Sequence, residues 1–556
     1  MVELRTTSRL RRVAAVAILF ALLAASCGDD DDGGGDTAGA TTAGTATSSP
    51  PSSAAAPDED VDREGTLRVG WDMANFNVDP AMAYSPTDQW IHQLITGTLL
   101  KLDAEGNFTP ELAEEATIED PRTISVVLRE GLTYHDGTPF TAETVKAGTD
   151  RNFASPRRSP TYAVGELANL ESIEVTGELT FTIHLKEDVA GSFYPLLARA
   201  EFATLSPAAT PPGQYPISQP VGAGPYTFTS FSTENGLVLE RWPDYFDAEA
   251  IRVKTVQVRN VAPAAAVTAL RSGDVDYMNV TYGIAQQLGN AVAVDLAVRK
   301  GYVGLVYMNC KKFPPVWSDP RAREAISLAI DREAINEAVY GGTGTPMNSF
   351  FVDDDPLFDR SLAGANERDL DRAKALLAEA GIAPGQKIEM LVTGDPATTR
   401  TGEIIQANLA EIGLELELAT SPNLVTEFYV ERTRQASLTA GVSWSTIDLA
   451  TVNMSVGGPG NLCDVGRPAP DGTPPSAEEA QAIDVIAQLR ALEPNDPEAA
   501  PLWAQLQQLV DQHNWQIWTV APPTGFAYDD DTVGNPSLIP MWAGFAPDVR
   551  TMYVKA

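Results

Sequence analysis

Residues 107–145 read NFTPELAEEATIEDPRTISVVLREGLTYHDGTPFTAETV. A strand is expected to end near Leu128, and His135, Asp136 and Gly137 form a turn, because glycine tolerates the positive φ that closes such turns. The turn aims the chain into a helix expected to begin near Thr141. In that setting His135 and Asp136 are structural residues and not ligand contacts.

Working outward, Leu67, Val69 and Trp71 alternate as a strand, as do Phe181, Ile183 and Leu185, while Val253–Val258 reads as a more deeply buried strand. The first half is therefore sheet-rich. Farther on the period changes. Asp319 and Pro320 mark a helix start, and Ala322, Ala325, Ile326, Ala329 and Ile330 follow at helical spacing. Leu370, Ala373, Leu377 and Ala380 form a second stripe that stops at Gly381, after which Ile388, Met390 and Val392 alternate. Ile404, Ile405, Leu409 and Ile412 return to helical spacing before Gly413, and Leu414, Leu416 and Leu418 alternate again. Helix, strand, helix, strand with glycine stops predicts an α/β layer in the second half.

The amino terminus carries Arg5, Arg9, Arg11 and Arg12, then an apolar run Val13–Ala25, then Ser26 and Cys27. This is the pattern of a secretory signal, and the run is well short of the ~20 residues that span a bilayer. Cys27 is the candidate lipid-attachment residue. The lipoprotein signal has an aliphatic residue three positions before the cysteine; here Ala24 stands there and Leu23 one step earlier. Residues 28–64 are Asp, Gly, Thr, Ser, Ala and Pro with almost no large apolar side chain, a composition expected to form a flexible tether.

Residues 65–556 exceed what one core serves and predict two or three lobes. The formal charge of −36 argues against nucleic acid and against an anionic lipid surface, since both need clustered Lys and Arg. No HExxH, GxSxG, P-loop or CxxC occurs, and His92, His135, His184 and His513 have no His or Cys partner at ligand spacing. No metal and no cofactor are expected. Cys310 and Cys463 are, after Cys27, the remaining cysteines; export permits a disulfide between them, with two buried thiols as the alternative.

The stretch 107–145 resembles the signature region of the oligopeptide-, dipeptide- and nickel-binding family of extracellular solute-binding proteins. Pro110, Leu112 and Ala113, then Leu128, Arg129 and Gly131, then His135, Asp136 and Gly137, then Ala142 and Val145 fall where that family's pattern expects them. The resemblance continues at Pro220–Tyr226 (PVGAGPY), Leu239–Phe246 (LERWPDYF), Leu270–Tyr277 (LRSGDVDY), Asp319–Arg332 (DPRAREAISLAIDR) and Leu370–Gly381 (LDRAKALLAEAG). Trp242 stands where the family usually has Asn and Phe246 where it usually has Trp; both read as packing positions. The resemblance implies an α/β, two-lobed periplasmic-binding-protein-like fold with a hinge, plus an extra domain inserted in the first lobe.

On that map residues 1–27 are signal, 28–64 tether, 65–304 the first lobe with the insertion at about 100–204, 305–522 the second lobe, and 523–556 the return to the first. The two crossovers are expected near Tyr302–Asn309 and Thr519–Phe526. The implied role is that of a monomeric, lipid-anchored receptor at the outer face of the cytoplasmic membrane or in the periplasmic space. It hands a small-molecule or peptide ligand to ABC permease and ATPase subunits and performs no catalysis.

Peptide-binding relatives carry a Trp-x-Ala-Asp motif whose aspartate pairs with the ligand's α-ammonium. Here Trp444-Ser445-Thr446-Ile447-Asp448 keeps the tryptophan but moves the acid one residue on. In an extended segment that step reverses the side chain's face, and a bulge would restore it. An ammonium taken out of water needs a charged, hydrogen-bonded partner, so the shift bears on whether the ligand is a free peptide. Trp444 and Asp448 are the pocket residues this reading names, with Trp71 and Asn75 after the first strand. The alternatives it leaves are a sugar, opine or metal chelate as ligand, or an exported enzyme or sensory receptor on the same scaffold.

Overall fold

Leu67 and Val69, both fully buried, point from one face of the strand Thr66–Trp71, which lies at the centre of a seven-stranded sheet. The computed structural model describes residues 60–556 apart from 74–75, 83–88, 105, 156–165, 212, 300, 314, 350, 353–354, 422, 444–462, 464, 466–471, 473, 495 and 542–543. Across the first sheet the strands run Ala293–Val298, Pro523–Tyr528, Tyr277–Thr281, Thr66–Trp71, Thr255–Asn260, Gly236–Arg241, Tyr226–Ser232. Thr66–Trp71 is parallel to both Thr255–Asn260 and Tyr277–Thr281, so Trp71, Asn260 and Thr281 end at one edge. Thr281 pairs with Thr524, and Val298 with Pro523, at that same edge.

The second sheet runs Leu414–Thr420, Gln386–Val392, Ala436–Ser443, Tyr302–Met308, Ile517–Trp518. Gln386–Val392 is parallel to both of its neighbours, and Tyr302 is paired with Ser443. The chain therefore enters this sheet at its carboxyl edge. All of Tyr302–Met308 belongs to the second sheet, so the first crossover lies between Val298 and Tyr302, ahead of the stretch in which it is expected, and the second lobe begins earlier than residue 305. The cause is that this strand starts directly after the crossover, and alternation alone does not say which sheet a strand joins. The second crossover falls between Trp518 and Pro523.

Helices cover the second sheet as their periodicity requires. Ala322, Ile326, Ala373, Leu376, Ile405 and Leu409 join Ile388, Met390, Leu414 and Leu416 in one buried cluster. Four aspartates are used at helix starts: the carboxylates of Asp319, Asp331, Asp369 and Asp395 accept backbone N–H groups of Arg321, Ala334, Arg372 and Thr398. Each such cap is worth about 1 kcal/mol.

The extra domain is a four-stranded antiparallel sheet in the order Ala113–Asp120, Thr123–Leu128, Thr180–Leu185, Leu170–Val175. Ile124, Val126, Leu128, Phe181, Ile183 and Leu185 form its buried face. Between the strands Thr123–Leu128 and Leu170–Val175 the helix Ala142–Phe153 starts at a reciprocal cap in which Thr141 and Thr144 each bond the other's backbone N–H. The turn before it is structural. His135 Nε2 lies 3.0 Å from the Gly224 carbonyl oxygen, Asp136 accepts from Ser206 Oγ at 2.7 Å, and Gly137 has φ 81°. Trp242 packs edge-on against His135, but Phe246 departs from its expected packing role and is 43% exposed, with the Arg129 guanidinium 4.9 Å from its ring.

Cys310, just past the strand Tyr302–Met308, forms a disulfide with Cys463 across a sequence separation of 153, with the two Cα atoms 4.9 Å apart. Among the described residues no helix is long and apolar enough to cross a membrane.

Candidate functional site: a crevice at the carboxyl edges of two sheets

Open α/β sheets bind ligands outside the carboxyl ends of their strands. In this chain both crossovers leave one sheet and enter the other at those ends, so the carboxyl edges of the two sheets share the crevice that the crossovers bound.

On the first-lobe side the strand Thr66–Trp71 delivers Trp71 to the edge, where its half-buried ring meets Trp90 edge-on at 5.1 Å. Trp90 lies on the helix Gln89–Thr96, every residue of which is buried. Asn260, at the end of the neighbouring strand, accepts the Met73 N–H at 3.1 Å and so ties down the segment leaving Trp71. On the next strand Asn279 donates to the Phe545 carbonyl at 2.7 Å, while its own amide oxygen is buried without a partner. Both ring nitrogens of the fully buried His92 also lack partners, and its ring stacks on Phe76 at 5.4 Å. Burial depresses the His92 pKa to about 4, partly opposed by the negative charge of Asp79, so this imidazole is neutral at physiological pH.

On the second-lobe side the strand Gln386–Val392 runs out into Thr393, Gly394 and Asp395. Gly394 has φ 82°, and Asp395 is exposed while capping the helix Pro396–Glu411. Its carboxylate accepts from Thr393 Oγ1 at 2.5 Å and from the Thr398 N–H at 3.0 Å. Burial pulls its pKa up, but hydrogen bonds from Thr393, Thr398 and Ala397 outweigh that and hold it below the usual carboxylate range. Asp395 is therefore a fixed negative charge at the crevice, close enough to add to the burial that raises the hydroxyl pKa values of Tyr302 and Tyr340. Beside the crossovers Tyr302 meets Phe545 at 5.9 Å and Tyr282 meets Tyr340 at 6.4 Å, each pair joining one lobe to the other.

Of the residues named from sequence, Trp71 lies at this edge. Asn75, Trp444, Asp448 and Cys27 lie outside the described residues, although Ser443, the residue before Trp444, is paired with Tyr302 at the carboxyl edge of the second sheet. Asp395 was not singled out by sequence, yet Thr-Gly-Asp-Pro following an alternating strand is a readable signal for a cap at a strand's carboxyl end. The orphaned groups of Asn279 and His92 carry no such signal, since they arise from tertiary packing. Among the described residues no group of three His, Cys, Asp or Glu side chains is placed to hold a metal ion.

Residues 107–461 match the model for bacterial extracellular solute-binding proteins, family 5 Middle. A provisionally named ABC transporter peptide-binding protein of Brucella ovis is 26% identical over 367 residues, covering 63% of this chain and 68% of that protein. The glutathione-binding protein GsiB of Escherichia coli O1:K1 / APEC is 27% identical over 371 residues, covering 64% of this chain and 69% of that protein. Among solved structures, NikA from Brucella suis in complex with Fe(III)-EDTA superposes with TM-score 0.72 at 20% identity, covering 88% of this chain and all (100%) of that one. The periplasmic binding protein DppA from Helicobacter pylori, in complex with peptide STSA, superposes with TM-score 0.71 at 18% identity, covering 90% and 99% respectively.

Proposed function

We propose a mode of action for a chain that belongs to the bacterial extracellular solute-binding proteins, family 5: it is the substrate-binding component of an ABC importer, closing its two lobes on an oligopeptide or related small solute and delivering it to a membrane permease. The observation that carries the mechanism is the meeting of two carboxyl edges at a pair of short crossovers. Such connections let the lobes turn as rigid bodies and expel water from whatever lies between them. No covalent step is part of this role.

Within the crevice, Trp444 supplies a flat apolar wall and Asp448 the partner of a ligand ammonium, with Trp71 and Asn75 on the facing lobe. Asp395 gives that end of the crevice a second negative charge, which favours a cationic group on the solute. Peptidic ligands are supported by the peptide bound to DppA and by the glutathione named for GsiB; the Fe(III)-EDTA in NikA keeps a chelate as the competing class.

Outside the crevice, Cys27 carries the lipid and residues 28–64 tether a monomeric receptor to the outer face of the membrane. Palmitate labelling of the expressed chain, lost in Cys27→Ala, tests the anchor.

The ligand is tested by thermal shift of the purified chain against di- to pentapeptides, their N-acetylated forms, sugars and metal chelates. A compound at a hundredfold its Kd stabilises the native state by about 2.7 kcal/mol. Stabilisation by free peptides and not by acetylated ones is the expected result. Stabilisation by chelates or sugars alone removes the peptide assignment, and no stabilisation by any class removes the receptor role.

A further inference from the structure

In the inserted domain the four-residue helix Ala190–Phe193 abuts the end of the helix Ala477–Ala491 in the second lobe. A Cβ built on Gly191 would lie 1.6 Å from the Leu492 carbonyl oxygen, 2.5 Å from its carbon and 3.1 Å from the Arg490 oxygen, where real Cβ atoms essentially never come within 3.0 Å of a neighbour. Gly191 is not among the glycines with positive φ, so its own backbone would accept any residue. Only the approach of the other lobe requires a glycine.

Next to this contact, side chains leave a gap. Phe108, Ala116 and Tyr194 of the first lobe face Glu493 and Pro494 of the second across a cavity of ≈ 270 Å³. The backbone seat at Gly191 thus sets how closely the lobes approach here. It shares no residue with the packing of Tyr282 on Tyr340 and Tyr302 on Phe545 beside the crossovers. Lobes that turn about the crossovers keep those hinge-side contacts, but they must break the seat to open.

We propose that Gly191 is the positioning residue for closure: the carbonyls ending the helix Ala477–Ala491 rest on it, and the closed population depends on this seat although it touches no ligand. The inference rests on the hinged-receptor reading given above. A receptor whose competent state is populated at a fraction f binds with its intrinsic Kd divided by f, so disturbing the seat weakens capture without altering the pocket.

The test uses the free full-length chain and needs no ligand. Small-angle scattering and amide hydrogen exchange are compared for wild type, Gly191→Ala, Gly191→Val and Leu492→Met. The valine variant is expected to lower the closed-to-open ratio at least about tenfold, seen as a larger radius of gyration and faster exchange in both 188–194 and 486–494, with alanine intermediate. Leu492→Met keeps the carbonyl and should match wild type. A valine variant with wild-type scattering and exchange overturns the proposal, as does a Leu492→Met variant that opens like valine. Should Gly191→Val fail to fold, wild type decides: the two segments must show a common opening free energy, and unequal protection overturns the seat. A chain that no compound stabilises, but that still opens on Gly191→Val, would refute the receptor reading while leaving the seat standing.

Discussion

Glu111 lies inside the stretch from which the fold is read, and its side chain is fully buried against Arg550, which is 13% exposed and 439 residues on (550 − 111). Arg550 Nη2 lies 2.7 Å from Glu111 Oε1, the Tyr245 hydroxyl donates to the same oxygen at 3.1 Å, and Thr98 donates to Oε2 through Oγ1 at 2.8 Å and through its N–H at 3.3 Å. A single carboxylate therefore gathers Arg550, Tyr245 and Thr98, the one Thr98 hydroxyl proton being shared with the Leu100 carbonyl oxygen at 2.6 Å, and pins the carboxyl-terminal return to the start of the insertion. Glu111→Gln removes the charge that Arg550 needs and turns an amide N–H₂ toward either the Arg550 guanidinium or the Thr98 N–H, so a donor that cannot accept must face another donor. Breaking one side of a buried ion pair costs about 3–5 kcal/mol, whereas replacing both partners by neutral groups costs much less. Urea unfolding of wild type, Glu111→Gln, Arg550→Met and the double variant, followed by circular dichroism, should give singles that each lose about 3 kcal/mol and a double that loses clearly less than their sum. High salt should not shrink the effect, because a buried pair is little screened. Singles costing under about 1 kcal/mol, or a double equal to the sum, would refute this account of the site.

Three further outcomes follow from other buried groups. Cys310→Ser with Cys463→Ser, or reduction of the wild type, should lower the melting temperature, since a closed loop of 153 residues restricts the unfolded chain by about 5 kcal/mol in the entropic model; an unchanged melting temperature refutes the constraint. His92 has a folded pKa of about 4 against an ordinary 6.5, so its contribution is complete above pH 6.5 and is lost as pH falls toward 4, about 3 kcal/mol in all. Denaturation midpoints of His92→Leu between pH 4 and 6.5 should lack that rise with pH, and a slope identical to wild type rejects the assignment. Asp511 runs the other way. Burial, only partly offset by hydrogen bonds from Ser349 and Trp518 and by the charge of Arg332, lifts its pKa from 3.8 to about 7. The folded state then holds the extra proton, and stability declines as pH rises from 3.8 through 7. The two slopes oppose each other between pH 4 and 6.5, so Asp511→Asn should expose a steeper rise with pH than wild type shows; a wild-type profile in that variant contradicts the sign.

What the sequence discloses divides along the range of the interaction responsible. Leu67 and Val69, or Asp319 ahead of Pro320, declare themselves because a strand face or a helix cap is decided within a few residues. Glu111 stands in the most recognisable stretch of the chain, yet its role is invisible there, because Thr98, Tyr245 and Arg550 are assembled only by the fold. The crossover before Tyr302 is displaced from its expected place for the same reason: alternation marks a strand but not the sheet it joins. At the crevice the difficulty is abundance. With 75 acidic residues, an aspartate attracts no notice, and Asp319, Asp331, Asp369 and Asp395 are all spent on caps. Capping and ligand recognition still differ physically. A cap needs one oxygen aimed at its own helix, while an acid that reads an ammonium needs accepting capacity directed into the crevice. Asp395 meets the positional condition, being exposed beyond the carboxyl end of Gln386–Val392, while Thr393, Ala397 and Thr398 hold its carboxylate in place by hydrogen bonds. Such an acid is held ionised by its cap before any solute arrives, so the structural role of Asp395 prepares it to meet a cation.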